Sequence, residues 1–282
     1  MSYIDYLQTE GSLLLRYPTQ YLQGVAPVNA HSHNDYWRDV PLLTALSYGL
    51  ASTEADVWLM DGQLVVGHEP AATTVQRTFG SLYVEPLTRI LDQTNTNNYW
   101  RDSPRGVFDM DPDKTLQLLV DFKTDGEALY PVVKEALEPM RAKGYLTSFS
   151  PHTGKMTKGP LVVIGTGSIP LHLVSSEKNE RYIFFDAPLH DIHNETYRPE
   201  LSPLASTNWQ KVIGWNGMEP LTDSLRSRIK YLIDVAHKRG MQTRFWGEPT
   251  RPKRARNNVW NVLLELGSDW INADDVAEVA EL

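Results

Sequence analysis

Two carboxylates two residues apart, Glu54 and Asp56, stand inside the apolar run Ala51 to Leu59. On a β-strand, residues i and i+2 face the same way, so both side chains enter one pocket. Carboxylates cannot share a buried site unless a cation or a proton lies between them. Asp121, at the end of the run Leu116 to Phe122, supplies a third. Three hard oxygen donors in a chain without cysteine favour Mg²⁺ or Ca²⁺ over Zn²⁺. Lys123, two residues beyond Asp121, shares that pocket and offers a point charge to an anionic substrate. An internal salt-bridge network of Glu54, Asp56 and Lys123 is the competing structural account. Two histidine segments lie close by in sequence, His31-Ser32-His33-Asn34-Asp35 and His68-Glu69. Singly, His31 reads as a satisfied core histidine and His68 as structural. Ionisable groups converging on one end of a fold are costly to bury without function.

Short apolar runs alternate with amphipathic stretches. The runs are Val25–Ala30, Ala51–Leu59, the weaker Leu64–Val66, Leu116–Phe122, Leu161–Ile164, Tyr182–Phe185, Gln242–Trp246 and Asp269–Ile271. Most lack polar alternation, as strands of a parallel sheet covered on both faces do. Their repeated βα order, eight strands in all, predicts an α/β fold, a closed (β/α)8 TIM barrel or a distorted relative of one. Helices are expected over Pro41–Tyr48, over Asp125–Lys143 with Gly144 as the stop, and over Thr222–Arg239 with Thr222 as N-cap and Gly240 as C′. The whole chain, 1–282, reads as one barrel domain, with a helical or extended lead-in over 1–24 and a long surface loop over 92–114. In such a barrel the C-terminal strand ends carry the active site, which is where the histidine and carboxylate clusters fall.

Composition narrows the partners. Lys plus Arg number 27 against 35 Asp plus Glu, a net charge of −8, so no global basic field exists to hold nucleic acid. No apolar run approaches the roughly 20 residues of a membrane span, and residues 1–18 resemble neither a signal nor a transit peptide. A soluble, cytoplasmic protein acting on a small-molecule or lipid substrate is expected.

The ordered set His31, Glu54-x-Asp56-Val57, Asp61-Gly62, Val66-Gly67-His68-Glu69, Asp121-x-Lys123, Phe245-Trp246 and Ile271-Asn272-Ala273-Asp274 resembles the glycerophosphodiester phosphodiesterases and their sphingomyelinase D-like relatives. His31 through Trp37, Glu54 through Leu59, Leu119 through Thr124, Phe184 through Leu189 and His237 through Gly240 are similar to the fungal family named altered inheritance of mitochondria protein 6. The resemblance implies a distorted TIM barrel of the phospholipase C-like phosphodiesterase type, with His31 and His68 as the acid and base pair, Glu54, Asp56 and Asp121 as metal ligands, and Lys123 as the phosphate contact. It places His33, Asn34, Trp246 and Asp274 around the substrate. One departure stands out: the glycerophosphodiesterases carry His-Arg-Gly where this chain has His31-Ser32-His33, so a phosphate-holding arginine is absent.

The expected activity is therefore metal-dependent cleavage of a glycerophosphodiester or lysophospholipid, by hydrolysis or by attack of a substrate hydroxyl to give a cyclic phosphate. Three readings compete. One is a barrel of this family recruited to a substrate without phosphate. A second is a Zn²⁺ amidohydrolase-like hydrolase using His31, His33, Lys123, His190 or His193, and Asp274. The third is a binding protein that has lost catalysis.

Overall fold

A computed structural model describes residues 20–96 and 101–282. The lead-in expected over 1–24 lies almost wholly outside the described residues. In chain order the strands are β1 (Val28–Ser32), β2 (Leu50–Met60), β3 (Gln63–Val66), β4 (Leu116–Phe122), β5 (Ser148–Ser150), β6 (Lys155–Thr157), β7 (Leu161–Gly167), β8 (Ile183–Phe185), β9 (Ala187–Pro188), β10 (Leu204–Asn208), β11 (Gln242–Trp246) and β12 (Ile271–Ala273). The helices are α1 (Leu43–Ser47), α2 (Glu85–Thr94), α3 (Gly126–Ala142), α4 (Leu171–Ser175), α5 (Trp209–Val212), α6 (Asp223–Lys238), α7 (Lys253–Leu266) and α8 (Val276–Val279).

The parallel pairings form two arcs. One runs β12-β1-β2-β4-β7-β8 and the other β9-β10-β11. Only Asp186 separates β8 from β9, and its N–H donates to Gly165 O of β7 at 3.0 Å. At the far side, a parallel bridge between Arg244 and Trp270 links β11 to the run into β12. Parallel pairing thus passes through eight staves and returns to its start, a distorted (β/α)8 barrel.

One of the eight staves is not the one the sequence suggests. Leu64–Val66 pairs antiparallel with β2, with Val57 opposite Val66 and Met60 opposite Gln63, and is no barrel stave. The cause is local. Asp61 (φ 48°) and Gly62 (φ 78°) are both left-handed, the two-residue turn that joins antiparallel strands. The missing stave is β10, whose Leu-Ala-Ser-Thr-Asn sequence has too few apolar residues to stand out. α2 runs to Thr94, into the loop expected over 92–114, and the described residues 101–115 before β4 are irregular and bury Val107 and Phe108.

The long helices follow their sequence signals. Thr222 Oγ1 accepts from Leu225 N to cap α6, which buries Ile229, Leu232, Ile233 and Ala236. Asp125 caps α3 through Glu127 N, and Leu129, Val133, Leu137 and Met140 face the sheet. The apolar core lies between helices and strands, with Phe79, Phe122 and Leu137 in one cluster and Trp209, Phe245 and Trp260 in another. Inside the barrel, polar residues of β1, β2, β4, β7, β11 and β12 are interleaved with apolar ones such as Leu119 and Ile164, which lie in register with Glu54 and with each other.

Candidate active site

Strand register sorts these polar residues into layers. His31 pairs with Ser52 on one side and Asn272 on the other, and Ser52 pairs with Gln117. This lower layer is hydrogen-bonded: His31 Nδ1 lies 2.7 Å from Ser52 Oγ, which also accepts from Gln117 Nε2 at 2.8 Å. His31 is fully buried, and its Nε2, 3.8 Å from Glu54 Oε2, has no hydrogen-bond partner. Burial, then the charge of Arg244, pushes its pKa down to about 3, so the ring is neutral at neutral pH.

The upper layer opens on the mouth. Asp56 is in register with Asp121, and Asp121 with Thr166. Glu54, Asp56 and Asp121 bring ligand oxygens within 4.8 Å of one another, a span suited to a single divalent cation with oxygen ligands. The buried Asp56 Oδ1 has no hydrogen-bond partner, as an oxygen reserved for a cation would be. Lys123 Nζ reaches Asp56 Oδ2 at 2.9 Å and Asp121 Oδ2 at 2.5 Å. Three carboxylates facing this lysine and the buried Arg244 leave negative charge in excess. Burial, followed by the charges of Glu54 and Asp121, raises Asp56 to about 7. Burial also opposes the Glu54 charge, but the facing His31 and the Arg244 guanidinium outweigh it and hold the Glu54 pKa below the usual carboxylate range. The donor set fits Mg²⁺ or Ca²⁺. The salt-bridge account describes the lysine contacts and leaves Asp56 Oδ1 unexplained.

Two histidines, one half-buried and one exposed, flank this triad. His33, in the turn after β1, places Nδ1 2.8 Å from Asp274 Oδ1 and Nε2 4.0 Å from Glu54 Oε2. Burial acts to lower its pKa, but the bond to Asp274 and the charge of Glu54 outweigh that and raise it. His68, delivered by the β2–β3 hairpin, is 45% exposed, with Nδ1 3.0 Å from the Tyr36 hydroxyl and 3.5 Å from Asp56 Oδ2. Tyr36 ties the two sides together, its oxygen lying 2.7 Å from Asp56 Oδ2 and 2.5 Å from Asn34 Oδ1. Asn34 occupies a left-handed conformation (φ 49°) that turns its N–H onto Glu54 Oε2 at 2.9 Å.

The structure thus gathers Glu54, Asp56, Asp121, Lys123, His33, Asn34, His68 and Asp274 at one mouth and sets His31 beneath them. Trp246 stands apart from the triad, lining a cavity of about 490 Å3 with Asp186, His190, Ser206 and Asn208. Ser32, where the arginine is absent, is buried and donates to Asp35 Oδ1. The zinc set does not assemble: His190 approaches Thr207, His193 bonds Tyr231, and among the described residues the three-carboxylate group is the one candidate metal cluster. Sequence reasoning passed over Arg244, Ser52, Gln117 and Glu248. A lone arginine inside the apolar run Gln242–Trp246 is the signal that marks Arg244.

The profile of the AIM6-like phosphodiesterase domain matches residues 19–186. The altered inheritance of mitochondria protein 6 homolog of Arthroderma benhamiae is 40% identical over 281 residues, spanning 96% of this chain and 88% of the relative. The chain belongs to the AIM6-like phosphodiesterase family. Altered inheritance of mitochondria protein 6 of Lachancea thermotolerans is 35% identical over 89% of this chain and 65% of its own length, and that of Saccharomyces cerevisiae 35% identical over 92% and 71%. Among solved structures, phosphatidylinositol-specific phospholipase C from Listeria monocytogenes aligns over 94% of this chain and 98% of its own, with 9% identity and a TM-score of 0.47. The AIM6-like family profile spans β1, β2, β3 and β4, so it covers the triad, Lys123 and all three N-terminal histidines. Asp274 lies beyond it. Among the described residues of this AIM6-like chain, no helix is long and apolar enough to cross a membrane.

Proposed function

We propose that this chain is a divalent-cation-dependent phosphodiesterase or phospholipase D-type lyase that cleaves a glycerophosphodiester or lysophospholipid. The observation that carries the proposal is the placement of two histidines, each beside a carboxylate, on either side of one acidic triad. Phosphodiester cleavage requires neutralised phosphoryl oxygens, a deprotonated nucleophile and a protonated leaving oxygen. Glu54, Asp56 and Asp121 would hold Mg²⁺ or Ca²⁺, which supplies charge stabilisation at the phosphoryl group. Lys123 adds a fixed positive charge beside it. His33, held by Asp274 in the tautomer with Nδ1–H, takes the proton of the attacking hydroxyl on Nε2. His68 gives its proton to the departing oxygen. In this reading the base is His33 rather than His31, because His31 is sealed in the layer below. A water nucleophile yields a phosphomonoester, and a substrate hydroxyl yields a cyclic phosphate.

Phosphorus NMR of the protein with lysophosphatidylcholine and glycerophosphocholine, with and without Mg²⁺, tests this. The expected outcome is a linear or cyclic phosphate product that requires the cation, with turnover abolished in a folded Glu54→Ala variant. Phosphodiesters left intact with either Mg²⁺ or Ca²⁺, or full activity in Glu54→Ala, would overturn it.

A further inference from the structure

The cavity of about 490 Å3 lined by Trp246 lies at the same strand ends as the triad, one stave further round. Its wall comes from the C-terminal ends of β7, β9, β10 and β11, and Thr166 of that wall is in register with Asp121. Neighbouring strands lie about 4.8 Å apart, so a group attached to a phosphorus at the triad reaches this cavity without leaving the mouth.

Two opposite charges stand on the cavity wall, and neither is neutralised. Asp186, between β8 and β9, accepts from Ser206 Oγ on Oδ2, while its Oδ1 has no hydrogen-bond partner. Burial raises its pKa to about 6, opposed by the Ser206 bond and the charge of Arg244, so the group is a carboxylate at neutral pH. Arg244 itself is committed to Asn272 and Glu54. Lys211, on α5, is exposed, and among the described residues its ammonium has no ion pair or hydrogen bond. A space of this volume is roughly 10 Å across, room for a small group between the two charges.

Unpaired charges of opposite sign call for a ligand that carries both signs. A quaternary ammonium offers Asp186 no hydrogen-bond donor and is repelled by Lys211. It finds no aromatic cage either. Phe185 and Tyr197 stack on each other, centroids 6.0 Å apart and planes at 2°, which leaves Trp246 as the remaining Trp, Tyr or Phe of the wall. A neutral polyol pairs with neither charge, and a primary ammonium alone leaves Lys211 unmatched.

We propose that this cavity selects a phosphodiester whose alcohol carries both an ammonium and a carboxylate, as serine does. The inference rests on the phosphodiesterase reading and deepens it by naming the group on phosphorus, whichever ester bond breaks. With phosphorus at the triad, the ammonium donates to Asp186. The carboxylate accepts from Lys211 Nζ and from Asn208 Nδ2, the Asn208 Oδ1 being already taken by Lys211 N.

Phosphorus NMR in the presence of Mg²⁺ follows consumption of the glycerophosphodiesters and the lysophospholipids of serine, ethanolamine and choline. Comparing the two series shows whether a soluble diester or a lysolipid brings the headgroup. In the series that is cleaved, kcat/KM for the serine compound should exceed that for ethanolamine about fivefold, the worth of one good exposed ion pair. It should exceed that for choline at least about tenfold, because choline leaves the polar wall unpaired. Lys211→Ala, a change at an exposed position, should erase the preference for serine over ethanolamine. Asp186→Asn should bring the serine and ethanolamine compounds down toward choline. Equal rates for serine and ethanolamine, a preference for choline, or a serine preference that survives Lys211→Ala overturns this inference and leaves the phosphodiesterase reading standing. No turnover of any of these compounds with Mg²⁺ or Ca²⁺ overturns both.

Discussion

His31 lies on β1 and His33 two residues on, in the turn that follows it, so at about 3.3 Å rise per residue their rings stand roughly one barrel layer apart. His31 falls among Ser52, Gln117 and Asn272, fully buried and neutral, while His33 reaches the mouth against Asp274. Replacing each therefore has a different signature. His33→Ala should lower kcat/KM by about 10² to 10⁴, the usual worth of a positioned acid or base, with the affinity for Mg²⁺ retained. His31→Ala leaves the buried Ser52 hydroxyl without its imidazole partner and should lower the melting temperature, a loss of about 1 to 3 kcal/mol, with a much smaller effect on kcat/KM. Steady-state kinetics beside thermal melts of both variants decides it, and the opposite pattern returns the base to His31. The sequence displays the His-x-His spacing and the carboxylate pair plainly. Which histidine meets substrate depends on the register of β1 against β12, set by residues some 240 positions away. Arg244 is hidden for the same reason, since its partners Asn272 and Glu54 lie on two other strands.

Elements position the site more tightly than their composition suggests. Gly167 ends β7 at φ 68°, and a Cβ there would lie 2.0 Å from Asp121 Oδ1 and 2.8 Å from Phe122 O. The acidic triad is therefore shaped in part by a residue with no side chain, on a strand that contributes no carboxylate to it. Gly167→Ala adds left-handed strain of about 1 to 3 kcal/mol and displaces the Asp121 carboxylate. The expected result is a modest drop in melting temperature with a disproportionate loss of Mg²⁺ affinity, read by calorimetric titration; unchanged affinity would mean that Asp121 is not a ligand. Element types are mostly legible in the sequence, because the α3 and α6 caps and apolar stripes are local signals. The strand count comes out right through two compensating errors. Asp61-Gly62 makes β3 a hairpin arm, which is what carries His68 to Asp56, while β10 escapes notice because its Ser206 and Thr207 are polar residues buried by the barrel itself. Polar interior positions are where hydrophobic patterning fails, and here they belong to the candidate active site.

At the scale of the whole barrel, the closure is uneven. The strands around β2, β4 and β7 pair over six or seven consecutive residues, whereas β11 meets the run into β12 at one parallel bridge, Arg244 to Trp270, with Trp270 N donating to Thr243 O at 3.1 Å. That seam passes directly beneath the candidate active site, since Arg244, Asn272 and Asp274 all stand on its two sides. Asp269 secures it from below. Its Oδ2 accepts from Thr243 N at 2.8 Å and Thr243 Oγ1 at 3.0 Å, and it lies 2.7 Å from His237 Nε2 at the end of α6. Asp269→Ala leaves the Thr243 N–H without its acceptor, a loss of about 1 to 3 kcal/mol. Because a single backbone bridge pairs the strands at this join, the loss should fall locally: amide exchange at Thr243 and Trp270 should accelerate well beyond that of β2 and β4, which pair over six residues and open only with the whole fold. Exchange that rises equally across all strands would show that the seam opens only with the whole barrel. If the seam opens separately, the same variant should lose turnover at temperatures below its melting transition, since the arginine and asparagine that brace Glu54 and Glu248 separate as β11 and β12 part.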